Sequence, residues 1–227
     1  MSVLESLIGV VAPPDCLSCG SEGSVLCRRC SDDFIKPFGG RCWRCNRLSP
    51  GSKTCDSCRH VGGPSRVWIS TIYEDKAQEL VRRYKFGHMR VAAKSLSRIM
   101  TQTYAQLSSD KLGYLIVPIP TATSRVRERG FSHSELLAKS VARELGLPCQ
   151  LVLRRLGQSR QLGSAREDRL KQLQGKFAVK SHWNVAGQKI ILIDDVLTTG
   201  GTLIAATQTL RAAGAAQVDA LLFAKRL

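Results

Sequence analysis

The run 190–203, Ile-Ile-Leu-Ile-Asp-Asp-Val-Leu-Thr-Thr-Gly-Gly-Thr-Leu, limits the fold of this chain more than any other stretch. Four successive apolar residues, 190–193, fit a strand buried on both faces, the environment of a parallel sheet. Two adjacent carboxylates, Asp194 and Asp195, follow at its carboxyl end. A Thr/Gly loop then opens into a helix expected over residues 202 to about 213 and closed by Gly214. In open α/β sheets, ligands bind beyond the carboxyl ends of the strands. A helix N-terminus preceded by glycines and hydroxyls suits a phosphate. Carboxylates beside a phosphate cradle make chemical sense when they hold sugar hydroxyls, or a cation carried by another phosphate. The expected ligand is therefore a sugar phosphate.

The same run resembles the signature with which phosphoribosyltransferases bind phosphoribosyl pyrophosphate (PRPP). That resemblance implies that Asp194 and Asp195 hold the ribose hydroxyls, directly or through Mg²⁺. It also implies that Thr198, Thr199, Gly200, Gly201 and Thr202 hold the 5′-phosphate.

Eight of the nine cysteines form four C-x-x-C pairs, Cys16/Cys19, Cys27/Cys30, Cys42/Cys45 and Cys55/Cys58. Each spacing brings two thiolates to one metal from a tight turn, and two pairs complete a tetrahedral zinc site. Two structural Zn²⁺ ions are expected, with a single zinc site and disulfides as the competing readings; no secretion signal is evident, which favours metal and a cytoplasmic location. Sequential pairing is favoured because each half then closes locally, and an interleaved pairing is the alternative. Four thiolates leave no open coordination position, so the sites are expected to be structural. A head so poor in apolar residues needs such support to fold. Cys149 reads as a small buried residue. Arg41, Trp43, Arg44 and Arg47 offer a basic cluster with an aromatic, and DNA contact, protein contact and a purely structural cap are equally open.

Gly62-Gly63-Pro64 marks the expected boundary between a zinc-binding head, residues 1–61, and an α/β domain, residues 62–227. Residues 1–60 hold eight Lys/Arg against six Asp/Glu, and the remainder hold 26 against 12. The basic excess thus lies with the phosphate loop, as polyphosphate or nucleic-acid partners would require. No transmembrane span is visible.

Along the second part, residues 66–73 read as an edge strand. Residues 75–86 read as a helix with Ala77, Leu80, Val81 and Tyr84 on one face, and residues 91–107 as another. Residues 114–120 read as a second buried strand ending in the loop 121–124. Arg125, Arg127 and Arg129 follow, then a helix from Ser132 to about Leu145, with Ser132 as N-cap and Glu135 completing a capping box. Hydroxyls and arginines after a parallel strand suit a pyrophosphate, which makes Pro118, Thr121, Ser124 and Arg125, with Lys85 from the helix, candidate PRPP ligands. Short strands are expected at 151–153 and 175–179. The polar stretch 154–174 between them carries Arg154, Arg155, Arg160, Arg166, Arg169 and Lys171. A mobile lid or an exposed basic helix would each account for it.

With both halves in view, the chain resembles the ComF/GntX family, in which a zinc-binding head is fused to a phosphoribosyltransferase-type domain. The resemblance rests on the cysteine pairs, residues 80–87 and 117–131, Gln161, Arg166 and Gly175-Lys176-Phe177, and the loop 194–203. The family often has Gly-Phe-Asn-Gln where this chain has Gly130-Phe131-Ser132-His133, and Asn where it has Gln172. Membership would imply a type I phosphoribosyltransferase-like parallel sheet flanked by helices, and a role in natural competence through DNA uptake or use. Two functions follow. One is transfer of phosphoribosyl from PRPP–Mg²⁺ to a nitrogen acceptor, with Asp194, Asp195 and Arg166 as the catalytic set and His133 or Glu128 as a candidate base. The other is a non-catalytic PRPP or nucleotide sensor, or an adaptor for single-stranded DNA and other DNA-uptake proteins.

Overall fold

The computed structural model describes residues 13–34, 37–86, 91–108, 113–121, 131–156 and 176–227. A four-stranded, wholly parallel sheet forms its centre: β1 (Val67–Ile72), β2 (Tyr114–Pro118), β5 (Lys189–Leu197) and β6 (Gln217–Lys225), ordered β1-β6-β5-β2. Strands β3 (Leu153–Arg155) and β4 (Phe177–Val179) form a separate antiparallel pair.

Side chains alternate between the two faces with the period of a strand. On β5 and β6, Ile191, Ile193, Leu221 and Phe223 face one apolar cluster, while Ile190, Leu192, Ala220 and Leu222 face the other. The first cluster is closed by α3 (Asp75–Phe86), α4 (Ala92–Leu107) and α5 (His133–Leu145). Helix α3 supplies the Ala77, Leu80, Val81 and Tyr84 stripe expected from its sequence. The second cluster is closed by α6 (Gly201–Ala212) and the β3/β4 pair.

The cysteine-rich segment contains the short helices α1 (Arg28–Phe34) and α2 (Asp56–Arg59), and it serves both faces. Cys16, Val25 and Leu26 join the first cluster, and Trp43 joins the second. The same segment covers the outer edge of β1: Phe38 N–H donates to Ile69 O at 2.9 Å, and further on Lys53 bridges Arg66, the residue before β1, in antiparallel fashion. A bare strand edge invites pairing with other chains, and here the chain's own head occupies it. This explains why β1, expected to alternate with polar neighbours, is buried along nearly its whole length.

Three local expectations change. Strand β5 runs on to Leu197, so Asp194 and Asp195 lie within it, with Asp194 opposite Leu222. Helix α5 begins at His133, and Ser132 makes no side-chain cap; Glu135 instead pairs with Lys139 one turn later at 2.6 Å. The first short strand begins two residues later than expected, at Leu153, and the polar stretch after it contributes Arg154 and Arg155 to β3.

At the amino ends of the strands, fully buried Asp219 accepts from Tyr114 Oη at 2.8 Å, Gln217 Nε2 at 2.7 Å and Arg66 N–H at 3.0 Å. This tie joins β1, β2 and β6. Asp219→Ala removes the acceptor of three bonds at a fully buried position, although Gln217 Nε2 keeps its bond to Tyr114 Oη at 3.0 Å, and this costs about 2–3 kcal/mol. Urea unfolding of the two proteins measures this, and an unchanged midpoint would contradict it.

Candidate functional site

The carboxyl ends of β1, β2, β5 and β6 open into a cavity of about 330 Å³, lined by Tyr73, Lys85, Ile119, Pro120, Thr121, His133, Arg155, Asp194, Asp195, Thr198, Thr202 and Arg226 among others. A second pocket of about 50 Å³ adjoins it inside the loop, bounded by Asp194, Thr198, Thr199, Gly200, Gly201 and Thr202. The sheet's alternation sends the two carboxylates to different sides. Asp194 borders the loop pocket, while Asp195 receives Lys85 Nζ from α3 at 2.7 Å.

The loop is built for an anion. Gly200 sits in the left-handed region at φ 76° and caps α6, with its carbonyl accepting Ile204 N–H at 2.9 Å. The first N–H groups of an α-helix lack intrahelical partners and carry the positive end of its dipole. Thr198 and Thr199 are exposed beside them. Lys85, Arg155 and Arg226 add cations around the larger cavity.

Burial and the neighbouring Asp195 push Asp194 up to about 7, against the pull of an N–H bond from Asp195 and of the Lys85 and Arg155 cations. Burial and the same carboxylates push the Tyr84 phenol up; its hydroxyl donates to the His133 carbonyl. Two hard oxygen donors at the rim of a phosphate cradle fit Mg²⁺, which binds through one or two carboxylates and substrate phosphates. Asp194 and Asp195 are the only carboxylates among the described lining residues.

The structure thus brings Lys85, Thr121, Asp194, Asp195, Thr198 and Thr202 to one cavity, with Thr199, Gly200 and Gly201 in the adjoining pocket. Pro118 ends β2 opposite Ile193, and the cavity wall starts at Ile119. Ser124, Arg125, Arg127, Glu128, Arg129, Arg166 and the rest of 157–175 lie outside the described residues, as do residues 1–12. His133 is buried against Tyr84, with ring centroids 5.0 Å apart, and forms part of the wall. Tyr73 and Arg226 were not singled out from the sequence. Tyr73 follows β1 and Arg226 follows β6, at the end of the sheet where Asp194 and Asp195 lie in β5, so the rule that ligands gather at strand ends points to Tyr73 from the expected strand 66–73 and would have pointed to Arg226 had β6 been read.

The cysteines gather sequentially: Cys16, Cys19, Cys27 and Cys30 in one set, Cys42, Cys45, Cys55 and Cys58 in the other, with all sulfurs in a set within 4.8 Å of one another. A zinc ion with Zn–S bonds of about 2.3 Å needs sulfurs about 3.8 Å apart; Cys19–Cys27 and Cys45–Cys55 are at 3.7 and 3.5 Å. The donors fit structural zinc. The two knuckles repeat one turn: Cys16 N–H donates to Ser21 O and Cys42 N–H to Arg47 O, with Gly20 and Asn46 at positive φ in equivalent places. Burial raises the Cys16 and Cys42 thiols, but surrounding backbone N–H groups outweigh it and bring each to about 6, while burial and the neighbouring thiols push Cys58 up to about 12 in the same set as Cys42; thiols crowded together without a cation cannot all ionise, and a bound metal would supply the missing charge. Trp43 does not stand out from the knuckle as an aromatic for nucleic acid; it is 3% exposed and donates from Nε1 to Thr54 Oγ1 at 2.8 Å.

Comparison with known proteins agrees with this geometry. Residues 132–227 match the family model described as the phosphoribosyl transferase domain. Competence protein ComFC of Bacillus subtilis is 29% identical over 84% of this chain and 80% of its own length. Competence protein F of Haemophilus influenzae is 25% identical over 86% and 87%, and DNA utilization protein YhgH of Escherichia coli K12 is 26% identical over 86% and 94%. The resemblance to the ComF/GntX family is therefore matched by relatives along most of the chain. No helix among the described residues is long and apolar enough to cross a membrane.

Two outcomes follow. Zinc analysis of the purified chain should give two ions, falling to about one in Cys19→Ser or Cys45→Ser. Asp194 is held above its unfolded value of about 3.8, so its ionisation opposes folding, fully above about pH 7 and not at all below about 3.8. Asp194→Asn should raise the Tm of the ligand-free protein by a few degrees at pH 8 and leave it unchanged near pH 3.5, as read by differential scanning calorimetry.

Proposed function

We propose that this protein binds PRPP with Mg²⁺ at the carboxyl ends of β2 and β5, and that it serves DNA uptake or utilisation, a reading supported by relatives named for competence and for DNA utilization. One observation carries the ligand: a phosphate-sized pocket at a helix N-terminus opens beside two vicinal carboxylates into a larger cation-lined cavity. The loop 198–202 takes the 5′-phosphate. Asp194 and Asp195 take the ribose hydroxyls, and Lys85 releases Asp195 to stand near the pyrophosphate. Thr121, with Ser124 and Arg125 after it in sequence, holds the pyrophosphate beyond the end of β2, whose last residue is Pro118. Mg²⁺ bound with PRPP supplies charge neutralisation for the leaving pyrophosphate.

The reaction this arrangement supports is phosphoribosyl transfer. The bond from C1 to the pyrophosphate oxygen breaks, a nitrogen acceptor forms a bond to C1, and fixed cations stabilise the charge that develops on the departing group. Arg155 from β3 and Arg166 are the side chains proposed for that task. A sensor or adaptor built on the same site would bind PRPP or a nucleotide without turnover. The basic excess in residues 61–227 suits single-stranded DNA as a partner, and other DNA-uptake proteins are partners that the family resemblance implies. Zinc is assigned a structural role in both readings, and the protein is placed in the cytoplasm.

Calorimetric titration with PRPP and Mg²⁺ tests the site. Binding is expected for the wild type, strengthening as pH rises through 7 while Asp194 ionises, and lost at least tenfold in Asp194→Asn/Asp195→Asn. Pyrophosphate release with one purine or pyrimidine base identifies a transferase; binding without release identifies the sensor or adaptor. Equal binding by the double variant would overturn the assignment.

A further inference from the structure

The tetracysteine sites are alike in their ligands and unlike in their surroundings. The first faces the helical layer remote from the phosphate loop: Lys76 Nζ donates to Ser18 Oγ at 2.8 Å, Ser95 Oγ to Leu26 O at 3.3 Å and Gln102 Nε2 to Asp32 at 2.9 Å. The second has Trp43 inside its Cys42-x-x-Cys45 knuckle, and that indole lies between two glycines. A Cβ at Gly63 would meet Cζ2 at 2.7 Å, and a Cβ at Gly200 would meet Cζ3 at 2.5 Å. Gly200 is the residue that turns the phosphate loop into α6.

The rest of Trp43 is fixed as firmly. Its Nε1 donates to Thr54 Oγ1, which donates on to Pro64 O. Its carbonyl accepts Lys225 Nζ at 2.7 Å, and the same ammonium donates to Asn46 Oδ1 and lies 4.7 Å above the Phe38 ring. Lys225 ends β6 opposite Leu197, the last residue of β5 before the loop. Both ends of the phosphate loop's support therefore run through one residue of the second knuckle.

We propose that Trp43 is a positioning residue for the phosphate loop and makes the two metal sites unequal: the second holds residues 198–202 in their anion-binding shape, and the first does not. This rests on the reading of that loop as a phosphate site. A glycine at φ 76° next to exposed threonines has little intrinsic rigidity, and a large flat ring against it restricts the backbone without a side chain of its own entering the pocket.

Amide hydrogen exchange on the ligand-free, zinc-loaded full chain tests the coupling without requiring any ligand. Trp43→Ala should speed exchange in peptides covering 198–204 at least tenfold, with peptides from β2 and β6 unchanged as the check on folding. Gly63→Ala changes neither Trp43 nor the loop itself; its Cβ meets the indole at 2.7 Å and the Ile204 side chain at 3.6 Å, so for this variant the readout is taken from amides 198–202. The substitution should drive the indole toward Gly200 and speed those amides, and the double variant should match Trp43→Ala alone. Cys45→Ser should loosen 198–204, whereas Cys19→Ser should loosen 16–30 and leave the loop protected. Unchanged loop exchange in Trp43→Ala and Cys45→Ser, or equal loosening by Cys19→Ser, would overturn the proposal. Titration of the wild type with ribose 5-phosphate runs in parallel. Its absence of binding would count against the phosphate reading, while the exchange data would still decide the coupling.

Discussion

A parallel sheet exposes two apolar faces and two unpaired edges, and all of them must be covered. In this protein that requirement shapes the rest. Helices α3, α4 and α5 cover one face, α6 and the β3/β4 pair cover the other, and the cysteine-rich segment closes the β1 edge while feeding side chains into both layers. At the opposite edge, Cys149 bridges Ile116, and Gln150 N–H donates to Ile116 O at 3.0 Å. The head is therefore part of the sheet's enclosure. Two small metal sites let a segment with few apolar residues hold shape well enough to do this.

The same enclosure creates the electrostatics of the site. Adjacent carboxylates on a strand repel each other and lose hydration as the sheet is buried. Lys85 answers one of them, and Asp194 is left raised in pKa without an equally close cation among the described residues. A ligand that brings hydroxyl donors or a divalent ion relieves that strain on binding. The arrangement is poised for a polyhydroxylated phosphate ester and poorly suited to a neutral apolar ligand.

Much of this is legible in the sequence because it is local. The apolar run into Asp194 and Asp195, the Thr/Gly loop and the four C-x-x-C spacings each fold within about fifteen residues, and each appears as expected except that the strand runs on past the carboxylates to Leu197. Sequential zinc pairing follows from the same locality. What was not legible depends on distant partners. Strand β6 is central to the sheet, yet its sequence carries Asp219, two alanines and Lys225, and only the buried partners of those two charges make it a core strand. Trp43 among its arginines leaves DNA contact, protein contact and a structural cap equally open until Gly63 and Gly200 are brought against it. Ser132 and Glu135 carry a capping pattern, but a salt bridge one turn on takes the carboxylate.

The most direct measurement is a crystal structure of the zinc-loaded chain with PRPP and Mg²⁺. The account predicts the 5′-phosphate on the N–H groups of 199–202, the ribose hydroxyls within hydrogen-bond reach of Asp194 and Asp195, and Lys85 moved off Asp195. A phosphate bound at Arg155 or Arg226, with the loop empty and the Lys85–Asp195 pair intact, would contradict it.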